Sequence, residues 1–319
     1  MIRSILLAAA LLGACVLRPS HPDMFVFAVM GDTPYNDREE KRFLDMLERM
    51  KDEPLRFIVH VGDFKSGGES PCSDSLFERR KAQFDGSAHP LIYTPGDNDW
   101  TDCRRPSNGA MNPIERLARL RQIFFTDEWS LGQSRISTDY QRECVEQIGN
   151  TCRCPAHPEN RLWSQWSVRF VTLNIPGSNN NVGYDRANDE EARCRNEANR
   201  QWLERAVRAS ENADTRALVV LIQANPWDSA KPVYRSFLRQ LEDAAVRLQK
   251  PILFVHGDTH IYRVDWPFVD PAGRTLTNLT RLETFGSPFV GWVKVTVDPN
   301  DPQIFSFEPK LVAVVPPGK

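Results

Sequence analysis

Short apolar segments of strand length recur along the chain. They are rich in β-branched and aromatic residues and fall at residues 25–30, 57–61, 91–94, 168–173, 218–222 and 252–255. Between several of them lie stretches whose apolar residues have helical spacing, at residues 38–50, 112–125, 190–210 and 233–249. Because strands that alternate with helices favour a sheet covered on both faces, the pattern predicts an α/β fold.

The pattern changes toward the C-terminal end. Three strand-like segments, at residues 282–285, 291–297 and 304–307, follow one another with no helix-like stretch between them. We interpret them as an antiparallel extension of the same domain. Residues 126–166 have little periodicity and contain three cysteines, which predicts an insertion over one edge. The chain from 22–319 is therefore predicted to be one domain with a Cys-rich insertion.

The first 21 residues are predicted to be a lipoprotein signal peptide and a short tether. Arg3 precedes an apolar stretch, residues 5–12, that is too short for an anchored membrane-spanning helix. The sequence Leu-Gly-Ala-Cys at residues 12–15 resembles a bacterial lipobox, which implies cleavage before Cys15 and its lipidation. The alternative is conventional cleavage within residues 14–20, which would leave a soluble product. Both predict export to the periplasm or cell envelope.

The composition excludes two other classes of protein. The chain has 319 residues, of which 41% are apolar and 26% charged, and these values are typical of globular proteins rather than disordered ones. Its net charge of −2 lacks the positive excess that a nucleic-acid-coating protein needs. We expect contact with a membrane only through the N-terminal lipid anchor.

Export changes how the remaining cysteines are interpreted. They are Cys72, Cys103, Cys144, Cys152, Cys154 and Cys194. In an oxidising compartment an even number of cysteines predicts up to three disulfides, whose pairing the sequence does not determine. The alternative is a zinc site formed by Cys144, Cys152, Cys154 and His157, but their spacing fits no common structural zinc site.

The dipeptide Gly-Asp occurs four times, whereas 17 Gly and 23 Asp in 319 residues would produce about 1.2 by chance. The aspartates are Asp32, Asp63, Asp97 and Asp258, and each closely follows a predicted strand. Because ligands of an open α/β sheet gather beyond the carboxyl ends of its strands, we expect the four to meet in one crevice. A single Gly-Asp pair is more often a turn or a helix cap, but four pairs at strand ends favour a shared site.

Carboxylates that meet in a crevice need positive charge nearby. At about 5 Å and an effective dielectric constant of about 20, two of them repel by roughly 3 kcal/mol. They must therefore bind protons or cations. His260 stands two residues after Asp258 and adds an imidazole. Aspartates with a histidine suit one or two divalent metal ions.

The motifs Gly-Asp-Thr-Pro-Tyr, Gly-Asp-Phe-Lys, Gly-Asp-Asn-Asp and Gly-Asp-Thr-His resemble, in this order, those of the calcineurin-like metallophosphoesterase superfamily. That superfamily has D-x-H, G-D, G-N-H-[D/E], a strand-end histidine and G-H-x-H. The resemblance covers residues 25 to about 295. It implies a layered α/β sandwich with two mixed β-sheets flanked by helices. It also implies a pair of metal ions that activates a hydroxide for attack on phosphorus.

The resemblance assigns metal ligands to matching positions. Asp32 and His260 would bind the first metal ion, and Asp63 would bridge both ions. Asp97 would take the position of the asparagine that binds the second ion.

Several positions depart from the family pattern. Pro34 replaces the histidine of D-x-H, and Asp258 stands where the first histidine of G-H-x-H belongs. Gln223, in Gln-Ala-Asn-Pro after a strand, is the nearest substitute for the missing strand-end histidine, with Asn225 as the alternative. Fewer imidazoles and more carboxylates favour Mn²⁺, Mg²⁺ or Ca²⁺ over Zn²⁺ or Fe.

Five residues near the aspartates are candidates for catalysis or substrate binding. Asn98 replaces the histidine that the family uses near the leaving group and cannot act as an acid. Asp99 or bulk water would then protonate the leaving group, which favours substrates with good leaving groups. Lys65, Arg104 and Arg105 would hold substrate oxygens; the alternative is solvated surface charge. We therefore predict Asp99, Asn98 and Lys65 as catalytic and Arg104 and Arg105 as substrate-binding.

Taken together, the sequence predicts a metal-dependent phosphoesterase that hydrolyses a small phosphomonoester or phosphodiester. The alternative is a catalytically degenerate envelope lipoprotein of the same fold that serves as a binding or scaffold protein. The replaced histidines favour the alternative. The clustered aspartates favour the enzyme, because a scaffold has little physical reason to keep mutually repelling charges.

Overall fold

The computed structural model describes residues 23–228 and 232–312. The predicted signal peptide, with the lipidation site at Cys15, lies outside the described residues. Among the helices of these two ranges, none combines the length and the apolar character that crossing a membrane requires.

Fourteen strands and five helices longer than one turn form the described part of the chain. The strands are β1 (Phe25–Met30), β2 (Leu55–His60), β3 (Leu91–Tyr93), β4 (Asp139–Gln141), β5 (Glu146–Ile148), β6 (Thr151–Cys154), β7 (His157–Gln165), β8 (Val168–Thr172), β9 (Ala217–Leu221), β10 (Ile252–His256), β11 (Arg263–Asp265), β12 (Leu279–Glu283), β13 (Gly291–Val297) and β14 (Phe305–Leu311). The helices are α1 (Asp37–Met50), α2 (Asp74–Asp85), α3 (Pro113–Phe124), α4 (Arg186–Ala209) and α5 (Arg235–Leu248).

The first sheet is mixed and has the strand order β14-β13-β1-β2-β3. β1, β2 and β3 run parallel, whereas β13 and β14 are antiparallel to their neighbours. Helices α1, α2 and α3 pack on its outer face. Asn36 caps the N-terminus of α1, where its side chain accepts hydrogen bonds from the N–H groups of Arg38 and Glu39. Helical spacing then places Phe43 and Leu47 on the buried side.

The second sheet is also mixed and has the order β11-β12-β10-β9-β8-β7-β4. Its four central strands, β12, β10, β9 and β8, run parallel, and the outer strands are antiparallel. Helices α4 and α5 cover the outer face through side chains such as Trp202, Leu203 and Leu241. Parallel strands buried on both faces explain the continuous apolar sequence of β9 and β10.

An apolar core joins the two sheets face to face. Phe27 and Phe57 of the first sheet meet Phe170 of the second sheet with ring centroids 5.2 and 5.0 Å apart, and Trp163 lies 5.6 Å from Phe57. The predicted fold class, an α/β sandwich of two mixed sheets flanked by helices, is confirmed. The carboxyl ends of β1, β2, β3, β9 and β10 lie at the same end of this sandwich.

Two of the elements that were not predicted, α2 and β7, contain buried polar side chains. α2 places Arg80 on its buried side, where the guanidinium donates to the carbonyl of Phe64 at 2.7 Å. β7 lies in the segment predicted as an irregular insertion and buries Glu159, Asn160 and Arg161. With β4 it extends the second sheet, while β5 and β6 form a separate ribbon. Hydrophobic patterning does not detect elements whose buried side chains are polar.

The predicted disulfides form in the described part of the chain. The pairs are Cys72–Cys103, Cys144–Cys152 and Cys154–Cys194. The alternative zinc site is wrong, because its three cysteines are disulfide-bonded. Three disulfides are compatible with an exported protein.

The first prediction compares two disulfides, Cys72–Cys103 and Cys144–Cys152, that close loops of different length. Cys72–Cys103 has a sequence separation of 31, and Cys144–Cys152, in the ribbon, has one of 8. Loop-closure entropy predicts that replacing both members of the first pair by alanine lowers the free energy of unfolding by about 3.7 kcal/mol. The same change in the second pair should cost about 2.5 kcal/mol. Urea unfolding without reductant measures both; equal losses would contradict the expected order.

A buried ion pair connects α3 to β7. Arg121 donates to the two oxygens of Glu159 at 2.8 and 2.6 Å, and Asn174 donates at 2.9 Å. The Glu159 side chain has no exposed surface. Burial by itself raises the pKa of Glu159, but the charge and hydrogen bonds of Arg121 outweigh it and lower that pKa to about 2.

The second prediction is that Glu159→Gln lowers the free energy of unfolding by about 3 kcal/mol, because the partly buried Arg121 loses its counter-ion. The folded-state pKa of Glu159, about 2, lies below its ordinary value of 4.5. Its contribution is therefore present above pH 4.5 and is lost as the pH falls from there toward 2. Urea unfolding across this range should show a steeper loss in the wild type than in the variant. Glu308→Gln, at the exposed pair with Lys310, is the control. It should change neither the free energy of unfolding nor its dependence on pH.

Candidate active site

Tight turns after the strands bring the four aspartates of the Gly-Asp motifs into one pocket. Asp32, Asp63 and Asp97 follow β1, β2 and β3, and Asp258 follows β10, so both sheets contribute. Asp32, Asp63 and Asp258 have left-handed backbone conformations, with φ of 53°, 58° and 78°. Residues other than glycine rarely adopt this conformation, which clusters at functional sites.

The glycines of the motifs make room for carboxylates from neighbouring motifs. A Cβ on Gly96 would lie 2.0 Å from Oδ1 of Asp63. A Cβ on Gly257 would lie 2.2 Å from Oδ2 of Asp32. Both distances are far below van der Waals contact, so only glycine fits at these positions. The repeated Gly-Asp dipeptide therefore reflects how closely the loops pack against one another.

On one side of the pocket, Asp32 faces His260. Nε2 of His260 lies 3.6 Å from Oδ1 of Asp32, and its Nδ1 lies 2.8 Å from the carbonyl oxygen of Ser287. Since a carbonyl oxygen only accepts, Nδ1 donates to Ser287 and Nε2 faces the aspartate. The hydroxyl of Tyr35 closes this side, 3.2 Å from Nε2 of His260 and 3.4 Å from Oδ2 of Asp63.

Asp63 lies between the two sides of the pocket and is bound by Asn98. The backbone N–H of Asn98 donates to Oδ1 of Asp63 at 3.0 Å, and its side-chain Nδ2 donates to Oδ2 at 2.8 Å. The same Nδ2 lies 3.1 Å from the hydroxyl of Tyr35. Asn98 therefore reaches the pocket, where its amide orients Asp63.

On the other side, Asp97 and Asp258 are joined by Gln223. Nε2 of Gln223 lies 3.1 Å from Oδ1 of Asp97, 3.1 Å from Oδ2 of Asp63 and 3.4 Å from Oδ1 of Asp258. Ser178 donates its hydroxyl to the second oxygen of Asp97 at 2.7 Å. Gln223 thus lies at the strand-end position that the sequence predicted, and its amide nitrogen faces the carboxylates.

Burial alters the proton affinity of these groups. It raises the pKa of Asp32, Asp63 and Asp258, and the charge of Asp97 adds to the effect. For His260, burial by itself lowers the pKa, but the hydrogen bond and charge of Asp32 outweigh it and raise the pKa to about 9. A charged imidazole next to Asp32 therefore offsets one carboxylate at neutral pH.

Asp99 lies beneath the pocket rather than in it. Its Oδ2 accepts hydrogen bonds from the N–H groups of Asp63 and Gly96 at 2.9 and 2.8 Å. The hydroxyl of Tyr93 donates to the same oxygen at 2.7 Å, and the N–H of Phe64 donates to Oδ1 at 3.0 Å. Burial raises the pKa of Asp99 to about 6, although these hydrogen bonds oppose it. With no exposed surface, Asp99 holds two loops together, and this placement does not suit the predicted proton donor.

The three basic side chains that were predicted to hold substrate oxygens, Lys65, Arg104 and Arg105, have different environments. Lys65 is buried and donates to two backbone carbonyls at 2.6 and 2.9 Å, and burial lowers its pKa to about 8. The guanidinium of Arg104 stacks on the ring of Tyr184, 3.3 Å from its centroid. Arg105 is exposed at the rim, where its Nη2 lies 3.4 Å from the hydroxyl of Ser178. Of the three, Arg105 is the one placed to meet a ligand entering the pocket.

Sequence analysis did not identify Tyr35, Ser178 or Asp102 as site residues. Oδ1 of Asp102 lies 2.8 Å from the hydroxyl oxygen of Ser178, and Asp102 pairs with Arg105 at 2.8 Å. Two signals were available in the sequence. Tyr35 ends the Gly-Asp-Thr-Pro-Tyr motif, and the turn-forming run Gly-Ser-Asn-Asn-Asn at residues 177–181 comes shortly after a strand.

The two sides of the pocket differ in how well they suit a metal ion. Among the described residues, no group of three or more His, Cys, Asp or Glu side chains is already arranged around a cation position. On the His260 side, one ring nitrogen donates to a carbonyl and the other faces Asp32, as in metal-binding histidines, so the donor chemistry fits a divalent cation that displaces the Nε2 proton. On the Gln223 side, an amide N–H₂ group points at the carboxylates from the place that a cation would take, so this side does not fit one.

Comparison with solved structures supports the fold. A dimetal phosphatase from Danio rerio is 12% identical to this chain. The match covers 90% of this chain and 96% of the phosphatase, with a TM-score of 0.50. GAP50, the anchor in the inner membrane complex of Plasmodium, is 11% identical, with 91% and 90% coverage and a TM-score of 0.47. Vacuolar protein sorting 29 from Cryptosporidium parvum is 14% identical, with 91% and 99% coverage and a TM-score of 0.30. At these identities, the first comparison shows similarity of fold alone.

Comparison with curated proteins gives no significant match. Residues 25–262, which carry all four Gly-Asp motifs, match the family described as calcineurin-like phosphoesterase. The predicted resemblance is therefore confirmed, and this chain belongs to the calcineurin-like phosphoesterase family.

Proposed function

We propose that this protein is a metal-dependent phosphoesterase that hydrolyses a small phosphomonoester or phosphodiester. The observation that carries the proposal is the meeting of four strand-end aspartates with His260 in one pocket. Left-handed residues and close glycine contacts maintain this arrangement at a cost in backbone strain. Membership of the family supports the same class of reaction.

The cation would be held by Asp32, Asp63 and His260. Oxygen donors outnumber nitrogen in this set, which favours Mn²⁺, Mg²⁺ or Ca²⁺ over Zn²⁺ or Fe. When bound, such an ion activates water and neutralises charge on the phosphoryl group. The carbonyl of Ser287 fixes the orientation of the His260 ring, and the amide of Asn98 fixes that of the Asp63 carboxylate.

The polar groups that face the pocket are poor acids. Asn98 donates hydrogen bonds but has no acidic proton, and burial with the charge of Asp63 holds the pKa of Tyr35 well above its usual value. Asp99, the predicted acid, is held beneath the pocket. The leaving group must then take its proton from water or depart as an anion, so substrates with good leaving groups are favoured.

Arg105 is the candidate for binding substrate oxygens. It lies beside Asn98, since a Cβ on Gly67 would lie 2.2 Å from Oδ1 of Asn98 and 3.1 Å from Nη1 of Arg105. Its pairing with Asp102 at 2.8 Å orients the guanidinium at the rim. A guanidinium presents several donors in a plane, which matches the oxygens of a phosphate group.

The cellular setting belongs to the same proposal. We infer export to the periplasm or envelope with a lipid anchor on Cys15, contact with the membrane through that anchor only, and a small phosphorylated molecule as the partner. The three disulfides support export.

A second candidate function is a binding or scaffold protein without turnover. The observation that favours it is the amide of Gln223, whose nitrogen approaches three carboxylates at 3.1 to 3.4 Å without a metal ion. A polar pocket that is cross-linked by hydrogen bonds in this way can persist without catalysis.

The third prediction tests the proposed activity. With Mn²⁺, Mg²⁺ or Ca²⁺ the protein should hydrolyse p-nitrophenyl phosphate or its diester, because nitrophenolate departs without protonation. Asp63→Asn should lower kcat/KM by about 100-fold or more, since it removes a charged ligand. Asp45→Asn, at an exposed aspartate that pairs with Arg49 on α1, is the control and should retain full activity.

The outcomes separate the two candidate functions. Absence of turnover with every cation, in protein shown to be folded by circular dichroism, would favour the binding protein. Turnover that Asp63→Asn leaves intact would show that the site lies elsewhere.

The fourth prediction concerns Arg105. Replacing it with alanine should raise KM for the aryl phosphate about tenfold while kcat changes less, because the guanidinium binds the ground state and the transition state alike. Arg119→Ala, which removes a guanidinium that pairs with Asp74 between α2 and α3, is the control. An equal effect of both replacements on KM would argue against a role in substrate binding.

A further inference from the structure

Gln223 occupies the place where a second cation would lie. It follows β9, has no exposed surface, and directs one nitrogen atom at carboxylates from three different loops. The three oxygens belong to Asp63, Asp97 and Asp258 and lie 3.1 to 3.4 Å from that nitrogen. An amide N–H₂ group therefore sits at the point toward which the negative charges converge.

The orientation of this amide is fixed by its other end. Oε1 of Gln223 accepts a hydrogen bond from the backbone N–H of Gly177 at 2.6 Å. If the amide were flipped, its N–H₂ group would face the N–H of Gly177, so two donors would meet. The amide oxygen of Gln223 would then face three carboxylates. The nitrogen can therefore be assigned to the carboxylate side from the hydrogen-bond pattern.

The surroundings leave little room for another arrangement. A Cβ on Gly177 would lie 2.8 Å from oxygens of both Asp97 and Asp258, so the backbone of this loop packs directly on the two carboxylates. Their remaining oxygens also have neutral donors: Ser178 Oγ at 2.7 Å for Asp97, and the N–H of Asn225 at 2.9 Å for Asp258. Each oxygen of Asp97 and Asp258 thus already has a hydrogen-bonding neighbour within the protein.

The His260 side has the opposite character. There the imidazole turns one nitrogen toward Asp32 at 3.6 Å, a separation wide enough for both atoms to ligate one ion. A quarter of the His260 side chain is exposed, with 26% of its surface accessible, so this side can be reached from solvent.

We infer that this protein binds a single divalent cation, on the side of Asp32, Asp63 and His260, and that the amide of Gln223 replaces the second cation. The inference rests on the proposed function, since it assumes that the first position takes a metal ion. It makes Gln223 a positioning residue that holds three carboxylates together, rather than the metal ligand that its place in the sequence predicts.

The fifth prediction is a change in metal stoichiometry. Equilibrium dialysis of the full protein against Mn²⁺ should give one ion per chain, and electron paramagnetic resonance should show the spectrum of an isolated ion. Gln223→Glu should bind two ions, because one oxygen can still accept from Gly177 while the other faces three carboxylates and requires a cation. The second ion would share Asp63 with the first, so the spectrum should become that of a spin-coupled pair.

Two further variants keep the test decisive. Asn225→Asp adds the same negative charge beside Asp258 without removing the Gln223 amide, so it should remain at one ion. Gln223→His supplies an imidazole instead of a carboxylate and should also give two ions, which covers the case in which Gln223→Glu fails to fold. Circular dichroism reports the folding of each variant.

The possible failures are distinguishable. Two coupled Mn²⁺ ions in the wild type would overturn the inference and leave the proposed phosphoesterase standing. No bound Mn²⁺ in the wild type would overturn both. A single ion in the wild type and in folded forms of both Gln223 variants would show that the amide does not exclude the second ion.

Discussion

The mutual repulsion of buried carboxylates is the constraint on which the site depends. Two of them about 5 Å apart repel by roughly 3 kcal/mol, which is a large fraction of the stability of a typical domain. The protein offsets this repulsion differently on the two sides of the pocket. An imidazolium, His260, faces Asp32 on one side, while a neutral amide, Gln223, bridges the carboxylates on the other. A metal ion that displaced the Nε2 proton of His260 would fit the first arrangement, whereas the second arrangement has an amide where a metal ion would lie.

The scaffold makes this cluster possible by bringing the carboxyl ends of strands from two sheets together. Buried polar groups then hold the loops in place: Asp99 ties the loops after β2 and β3, and Glu159 with Arg121 ties β7 to α3. The disulfide Cys72–Cys103 joins the segments that flank Asp97. Such connections restrict the movement of charged loops, which would otherwise separate to relieve their repulsion.

The difference between the His260 side and the Gln223 side of the pocket bears on the proposed reaction. In the proposed enzyme, a site with one cation would have less positive charge with which to stabilise a phosphoryl transition state. Of the pocket-facing groups, Asn98 has no acidic proton, and the pKa of Tyr35 is well above its usual value. Both features would favour esters whose leaving groups are stable anions. Arg105 at the rim would then supply fixed positive charge that a second metal ion would otherwise provide.

The sequence by itself determined the alternation of strands and helices and the strand-end placement of the aspartates, because hydrophobic periodicity and turn-forming glycines are local properties. It did not reveal β7, whose buried Glu159 is stable only with Arg121 from another element. Nor did it determine the cysteine pairing or the burial of Asp99 beneath the pocket. The tertiary structure decided these, and it decided that Gln223 presents its nitrogen, because the orientation of an amide depends on partners from loops distant in sequence.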